Sequence, residues 1–262
     1  MSYLLLSAQP VVSSVAEKPP LSFSQLWYWF ILMAVACYFI GCFNFAVLLA
    51  KARHKDIHKI GSGNPGTMNI SREFGLKVGL FNFILDACKG GIPAVVSYLV
   101  FRGYVFAGTS VVISDFTRYF CGVFVIIGHI WPVTMDFKGG KGIASTLGLF
   151  WFCITCETWW FFFILLAALV GVVGYIAYTE WGSMGSLLGV TGLSLWQGFI
   201  FWFRYQLVIS NGWVIACFMM LLALNFLTWF AHRKNLVRLF AGEEHRTSVK
   251  KLSKGKRGMK NM

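Results

Sequence analysis

Apolar residues run through this chain in long blocks separated by short polar segments, and the block lengths set the fold class. A helix crosses the hydrocarbon core of a bilayer with about 20 apolar residues, at about 1.5 Å of rise per residue. Six blocks reach that length: Leu26–Ala50, Val78–Phe101, Val111–Trp131, Thr158–Tyr178, Ser183–Phe203 and Trp213–Ala231. A seventh, Ile143–Cys156, is too short to span upright and is counted as a short or tilted helix packed on its neighbours. Tryptophans crowd the block ends (Trp27, Trp29, Trp131, Trp159, Trp160, Trp181, Trp202, Trp213, Trp229), where interfacial anchors belong. The pattern predicts an all-α polytopic membrane protein with about seven transmembrane helices. Its parts are a polar N-terminal tail over 1–25, a seven-helix membrane domain over 26–246, and a basic, disordered C-terminal tail over 247–262.

Composition narrows the class further. With 57% apolar and 13% charged residues, the chain cannot cover a soluble surface with polar groups, which excludes a soluble enzyme and a disordered chain. The seven cysteines lie in or beside apolar blocks, as small packing residues do. Cys153 and Cys156 form a CxxC, but no second ligand pair accompanies it, so no metal site is expected. Residues 1–25 carry no basic segment ahead of Tyr3–Leu6 and are taken as part of the mature chain.

The 23 Lys and Arg against 10 Asp and Glu are unevenly placed. With seven crossings, residues 51–77, 132–142, 179–182 and the segment after Ala231 share one side and hold 18 of the 23 basic residues. Basic residues accumulate on the cytoplasmic side, so the N-terminus is expected outside and the C-terminus in the cytoplasm. The run Lys250, Lys251, Lys254, Lys256, Arg257 and Lys260 reads as a solvated segment near anionic lipid. No nucleic-acid module accompanies it.

The candidate chemistry sits in the loops of that charged side. Lys59-Ile-Gly-Ser-Gly-Asn-Pro-Gly-Thr-Met-Asn-Ile-Ser-Arg72 places Gly61, Gly63 and Gly66 where backbone N–H groups can converge on an anion. Ser62, Asn64, Thr67 and Asn69 add neutral polar groups, and Arg72 adds a bidentate donor suited to phosphate. The next loop ends in Gly139-Gly140-Lys141-Gly142, which resembles a phosphate nest with a cation at its lip. It is not a nucleotide-binding P-loop, because Gly142 stands where Ser or Thr follows the Lys. His129 reads equally as structural or catalytic. Trp181-Gly-Ser-Met-Gly-Ser186 reads equally as small residues for close helix packing or as ligand donors through Ser183. Past the last block, His232, Asn235 and Arg238 fall on one helical face, and an amphipathic helix on headgroups predicts the same spacing. Within a span, Asp86 and Lys89 are spaced to neutralise each other. The following Gly-Gly-Ile-Pro93 is expected to kink the helix.

Taken together, Gly61–Arg72 with Asp86–Pro93, Gly128–Gly148, Trp181–Ser186 and His232–Arg246 resemble, in order and spacing, the acyl-phosphate-dependent glycerol-3-phosphate acyltransferases of bacteria, the PlsY family. The resemblance covers roughly residues 35–246. It implies transfer of an acyl group from acyl phosphate to the 1-position of sn-glycerol 3-phosphate. The products are lysophosphatidic acid and phosphate, in the first acylation of phospholipid synthesis. It also implies catalytic roles for Ser62, Arg72, Lys141, His232 and Asn235. Substrate contacts would come from Gly61, Gly63, Asn64, Gly66, Thr67, Asn69, Gly139, Gly140, Gly142 and Ser183. No cofactor is expected beyond acyl phosphate as co-substrate. The implied partners are glycerol 3-phosphate, acyl phosphate and membrane lipid, without nucleic acid, in a chain compatible with a monomer. The implied location is the bacterial cytoplasmic (inner) membrane, multi-pass, with the active site facing the cytoplasm.

The chain departs from the family pattern at Thr67-Met68-Asn69, where Ala-Thr-Asn is usual. Cys42 stands where Ser is frequent, and Ala231 where an Arg often precedes the His. None of the five His residues has Asp five positions on, so the His-x4-Asp chemistry of acyl-CoA and acyl-carrier-protein acyltransferases is absent. The alternative is a membrane transporter or binding protein for a phosphorylated metabolite.

Overall fold

The computed structural model describes residues 18–243, so residues 1–17, most of the expected N-terminal tail, and the whole of the basic tail from residue 247 lie outside the described residues. In chain order the elements are β1 (Pro20–Leu21), α1 (Phe23–Cys42), α2 (Phe45–Lys51), α3 (Thr67–Phe74), α4 (Leu76–Phe101), β2 (Val105–Phe106), α5 (Ile113–Ile130), α6 (Ile143–Thr155), α7 (Phe161–Thr179), α8 (Gly182–Tyr205), α9 (Gly212–Ala231) and α10 (Arg233–Phe240). Among the described residues, six helical stretches are long and apolar enough to cross a membrane, and α6 is a shorter apolar helix.

The first apolar block is not one helix. It starts at Phe23 rather than Leu26, and it breaks at Phe43–Asn44 before α2. The break has a polar cause. Lys89 from α4 donates to the carbonyls of Phe43 (2.8 Å) and Gly41 (3.3 Å), which supplies partners for backbone oxygens at the break. The Asn44 side chain caps α2 by accepting from the Val47 N–H at 3.1 Å. Pro20–Leu21, inside the expected polar tail, pairs in parallel with Val105–Phe106. Helix α4 runs as one 26-residue helix with Pro93 inside it.

The bundle forms around α5, which buries 15 of its 18 residues. Helices α1, α4, α6 and α9 pack on it, and α8 joins through α6 and α9. Helix α7 fully buries only Leu165 and turns much of its apolar surface outward, as expected of a helix facing lipid. Helix α6 lies against α4 without a gap, because a Cβ at Gly148 would collide with the Ala87 backbone and one at Gly90 with the Ser145 backbone.

Five polar side chains lock one end of the bundle. Arg118 is fully buried and pairs with Asp115 (2.7 Å) and Glu157, and donates to the Cys153 carbonyl at 3.1 Å. Arg204 from α8 bridges the same two carboxylates, and the Tyr205 hydroxyl donates to Asp115 at 2.6 Å. Two guanidinium groups thus balance two carboxylates, the condition under which charges are tolerated in an apolar bundle.

Candidate functional site

At the opposite end of the bundle, three helix termini converge. The loop before α6 carries Lys141, the first turn of α8 carries Ser183, and α10 follows α9 through His232. The Lys141 ammonium donates to Asn235 Oδ1 at 2.6 Å, and Asn235 Nδ2 donates to Ser183 Oγ at 2.6 Å. These bonds join residues 94 and 52 positions apart, so only tertiary folding assembles them. His232 is buried beside it, and its Nδ1 lies 2.8 Å from the Thr228 carbonyl. Burial first, and the nearby Lys141 charge second, push the imidazole down to about 4, so the ring is neutral at physiological pH. Arg238 lies one turn beyond Asn235 on the same face, half-buried, as the i, i+3, i+6 spacing requires.

The first glycine-rich loop reaches this cluster through the second. Gly140 is buried against the His129 imidazole, with the Pro65 carbonyl 3.0 Å from where a Cβ would sit. The N–H groups of Gly139 and Gly140 donate to the Ile130 and His129 carbonyls, both at 3.0 Å. These two glycines therefore shape the turn, and their N–H groups do not form the open nest that the sequence suggests. His129 serves in this packing, behind the loop. Gly142 adopts a left-handed φ of 78° and caps α6, whose first turn points its N–H groups toward the Lys141 end.

In the first loop, Asn69 is 2% exposed and its side chain is spent internally. Its Oδ1 accepts from the Ser62 N–H (3.1 Å), and its Nδ2 donates to the Ile60 carbonyl (2.9 Å). Gly61 at φ 56° lies against that amide, where any Cβ would collide. Asn69 is thus the brace of the loop. The Gly63 N–H donates to the Ile60 carbonyl and the Gly66 N–H to the Asn64 carbonyl, both at 2.9 Å, so these too close turns. Asn64 and Gly66 are half-buried, and Ser62 stands exposed at the loop surface. Thr67 Oγ1 accepts from Asn82 Nδ2 at 3.0 Å. Arg72 sits half-buried in α3, and that burial lowers its guanidinium pKa.

Asn82 is the residue that sequence reasoning missed. It also donates to Asp86 (3.1 Å), which pairs with Lys89 (3.1 Å), so one polar chain runs from Thr67 to the break in the first apolar block. The available signal was an amide one helical turn before Asp86 in an otherwise apolar block. Among the described residues no group of three His, Cys, Asp or Glu could hold a metal ion.

Residues 31–242 match the family model described as glycerol-3-phosphate acyltransferase. A glycerol-3-phosphate acyltransferase from Thermoanaerobacter pseudethanolicus is 35% identical over 221 residues, covering 84% of this chain and 96% of the relative. One from Finegoldia magna is 33% identical over 219 residues, covering 83% and 96%. The crystal structure of PlsY, an integral membrane glycerol 3-phosphate acyltransferase, in its glycerol 3-phosphate form is 25% identical with a TM-score of 0.65. It covers 85% of this chain and 98% of that one. The lysophosphatidic acid form of PlsY, at 24% identity and a TM-score of 0.63, shares the fold.

Proposed function

Because this chain belongs to the glycerol-3-phosphate acyltransferase family and is an acyltransferase by that membership, we propose that it acylates the 1-position of sn-glycerol 3-phosphate with acyl phosphate as donor. The observation that carries the reading is the Lys141–Asn235–Ser183 chain beside neutral His232. It offers a cation and oriented polar groups where two phosphate-bearing substrates would meet. The glycerol 1-hydroxyl oxygen attacks the acyl carbonyl carbon, the acyl carbon–phosphate oxygen bond breaks, and inorganic phosphate leaves with the hydroxyl proton. The leaving phosphate itself is the base, so the protein contributes positioning and charge stabilisation. Lys141 and Arg72 neutralise phosphate charge, while Ser62, His232 and Asn235 orient the glycerol phosphate.

An apolar groove of about 810 Å³ between α4, α6, α7 and α8, lined by Phe83, Leu147, Trp151, Leu165, Leu188 and Trp196, suits the acyl chain. Its near end, at Leu147 and Leu188, lies within two helical turns of Lys141 and Ser183 in sequence. In this reading the protein is a multi-pass protein of the bacterial inner membrane with seven spanning helices, α6 among them, and its site faces the cytoplasm. A transport role finds less support: the candidate phosphate-binding groups lie at one end of the bundle rather than at its middle, and Asp86 and Lys89 close on each other.

The test uses the full chain in lipid vesicles with glycerol 3-phosphate and palmitoyl phosphate, palmitoyl-CoA or palmitoyl carrier protein in separate reactions. The readouts are lysophosphatidic acid by mass and released phosphate. Product is expected from palmitoyl phosphate alone, and it is expected to persist with a chelator because the chemistry calls on no cofactor. Product from either thioester instead would overturn the donor assignment.

A further inference from the structure

On the face that carries Lys141, a second cavity lies outside the reaction site. It measures about 710 Å³ and opens between the end of α2 with the following residues and the turn just before Gly139. Lys51, His54, His58 and Lys138 line it, all four exposed. The other charges on its wall are mostly engaged. Lys55 pairs with Glu73 at 2.5 Å, and Asp56 accepts from the His58 N–H at 3.0 Å and faces Lys59 at 3.9 Å. That leaves two lysines and two histidines against Asp136. Of the four non-glycine residues with left-handed backbone among the described residues, three lie on the two rims or beside them: His54 (φ 56°), Asp136 (φ 49°) and Phe137 (φ 59°). Such conformations persist where the surrounding structure imposes them, and they concentrate at ligand clamps. Beside the rims, Leu48, Val133 and Phe137 expose large apolar side chains, which places the cavity at an apolar–polar boundary.

From this convergence we propose that the cavity binds the phosphate headgroup of an anionic phospholipid, with Lys51 and Lys138 as its charge partners and the flanking apolar residues against the acyl chains. Basic pockets beside membrane helices select such headgroups, and the excess of positive charge on this face attracts them. The site rests on the orientation given under Proposed function. Its consequence is coupling. The rim at His58 leads directly into Gly61–Gly66, with the His58 carbonyl 3.0 Å from where a Gly63 Cβ would sit. The rim at Lys138 leads into Gly139–Gly142. A headgroup bridging the two rims therefore holds together the two loops that flank the reaction site.

The test compares the full-length chain, K51Q/K138Q, and the charge-matched control K77Q/K234Q, whose lysines lie outside the cavity. Native mass spectrometry in detergent counts retained phosphatidylglycerol against phosphatidylcholine, with inorganic phosphate as competitor. Retention of phosphatidylglycerol is expected to fall roughly thirtyfold in K51Q/K138Q, from two surface charges removed, and to hold in the control. In vesicles, adding one-third phosphatidylglycerol to phosphatidylcholine is expected to raise turnover for the wild type and the control, with that factor falling to near one in K51Q/K138Q. Equal retention by all three proteins, or equal loss in the control, overturns the site. Displacement by inorganic phosphate at concentrations that leave lipid intact overturns the lipid assignment in favour of a soluble anion. Retention is read without catalysis, so it stands or falls separately from the acyl-transfer reading.

Discussion

Lys141 has two jobs at the residue scale: it donates to Asn235, and its charge helps keep His232 neutral. Lys141→Ala is expected to cut turnover by about 10²–10³-fold, the usual cost of losing one charge-stabilising donor, as measured by lysophosphatidic acid formation in vesicles. His232 makes a second prediction, one about pH. Its folded pKa is depressed to about 4 from 6.5, so between those values the unfolded chain binds a proton that the folded one refuses. Stability from this group is complete above pH 6.5 and is lost as pH falls toward 4. His232→Gln is expected to flatten that part of the melting-temperature profile in detergent. The residue types of the site were legible in the sequence, but their partners were not. Asn69 looked like a ligand donor and is a brace, because a buried amide facing the loop is satisfied by the nearest backbone groups, the Ser62 N–H and the Ile60 carbonyl.

At the scale of elements, the short helix α6 is clamped at both ends. Its start bears Lys141 and Gly142. Its far end is held by Arg118 through the Cys153 carbonyl and Glu157. Removing one member of a buried charge network costs about 3–5 kcal/mol, so Arg118→Leu is expected to lower the unfolding midpoint in detergent sharply. Gly148→Val tests the other constraint. The added atoms meet the Ala87 backbone, which cannot yield as a flexible side chain would. A destabilisation of about 1–3 kcal/mol is expected from such overpacking. A raised KM for glycerol 3-phosphate should accompany it, because α6 shifts with the loop at its start. In the sequence Arg118 and Asp115 stand three residues apart inside one apolar block. The partners of Arg118 stand 3 and 39 residues away, and Arg204 completes the network 89 residues from Asp115.

For the whole molecule, the charge distribution predicts the sidedness of the bundle. Cysteine placed at exposed Lys234 is expected to react with an impermeant thiol reagent only in inverted vesicles, and cysteine at exposed Ser110 only from outside intact cells. The reverse labelling would move the proposed site to the outer face. The sequence alone determined the helical class, the membrane setting and the loops that carry the chemistry, because hydrophobic run length and local residue type express those properties directly. Tertiary structure decided which groups meet. It tied Lys141 to Asn235 and Ser183, turned the Gly139 and Gly140 N–H groups inward, broke the first apolar block at Phe43–Asn44 against Lys89, and closed the Arg118–Asp115–Glu157–Arg204 network. Most of these depend on contacts between residues distant in the chain, where burial requires every polar group to find whichever partner the packing brings within reach.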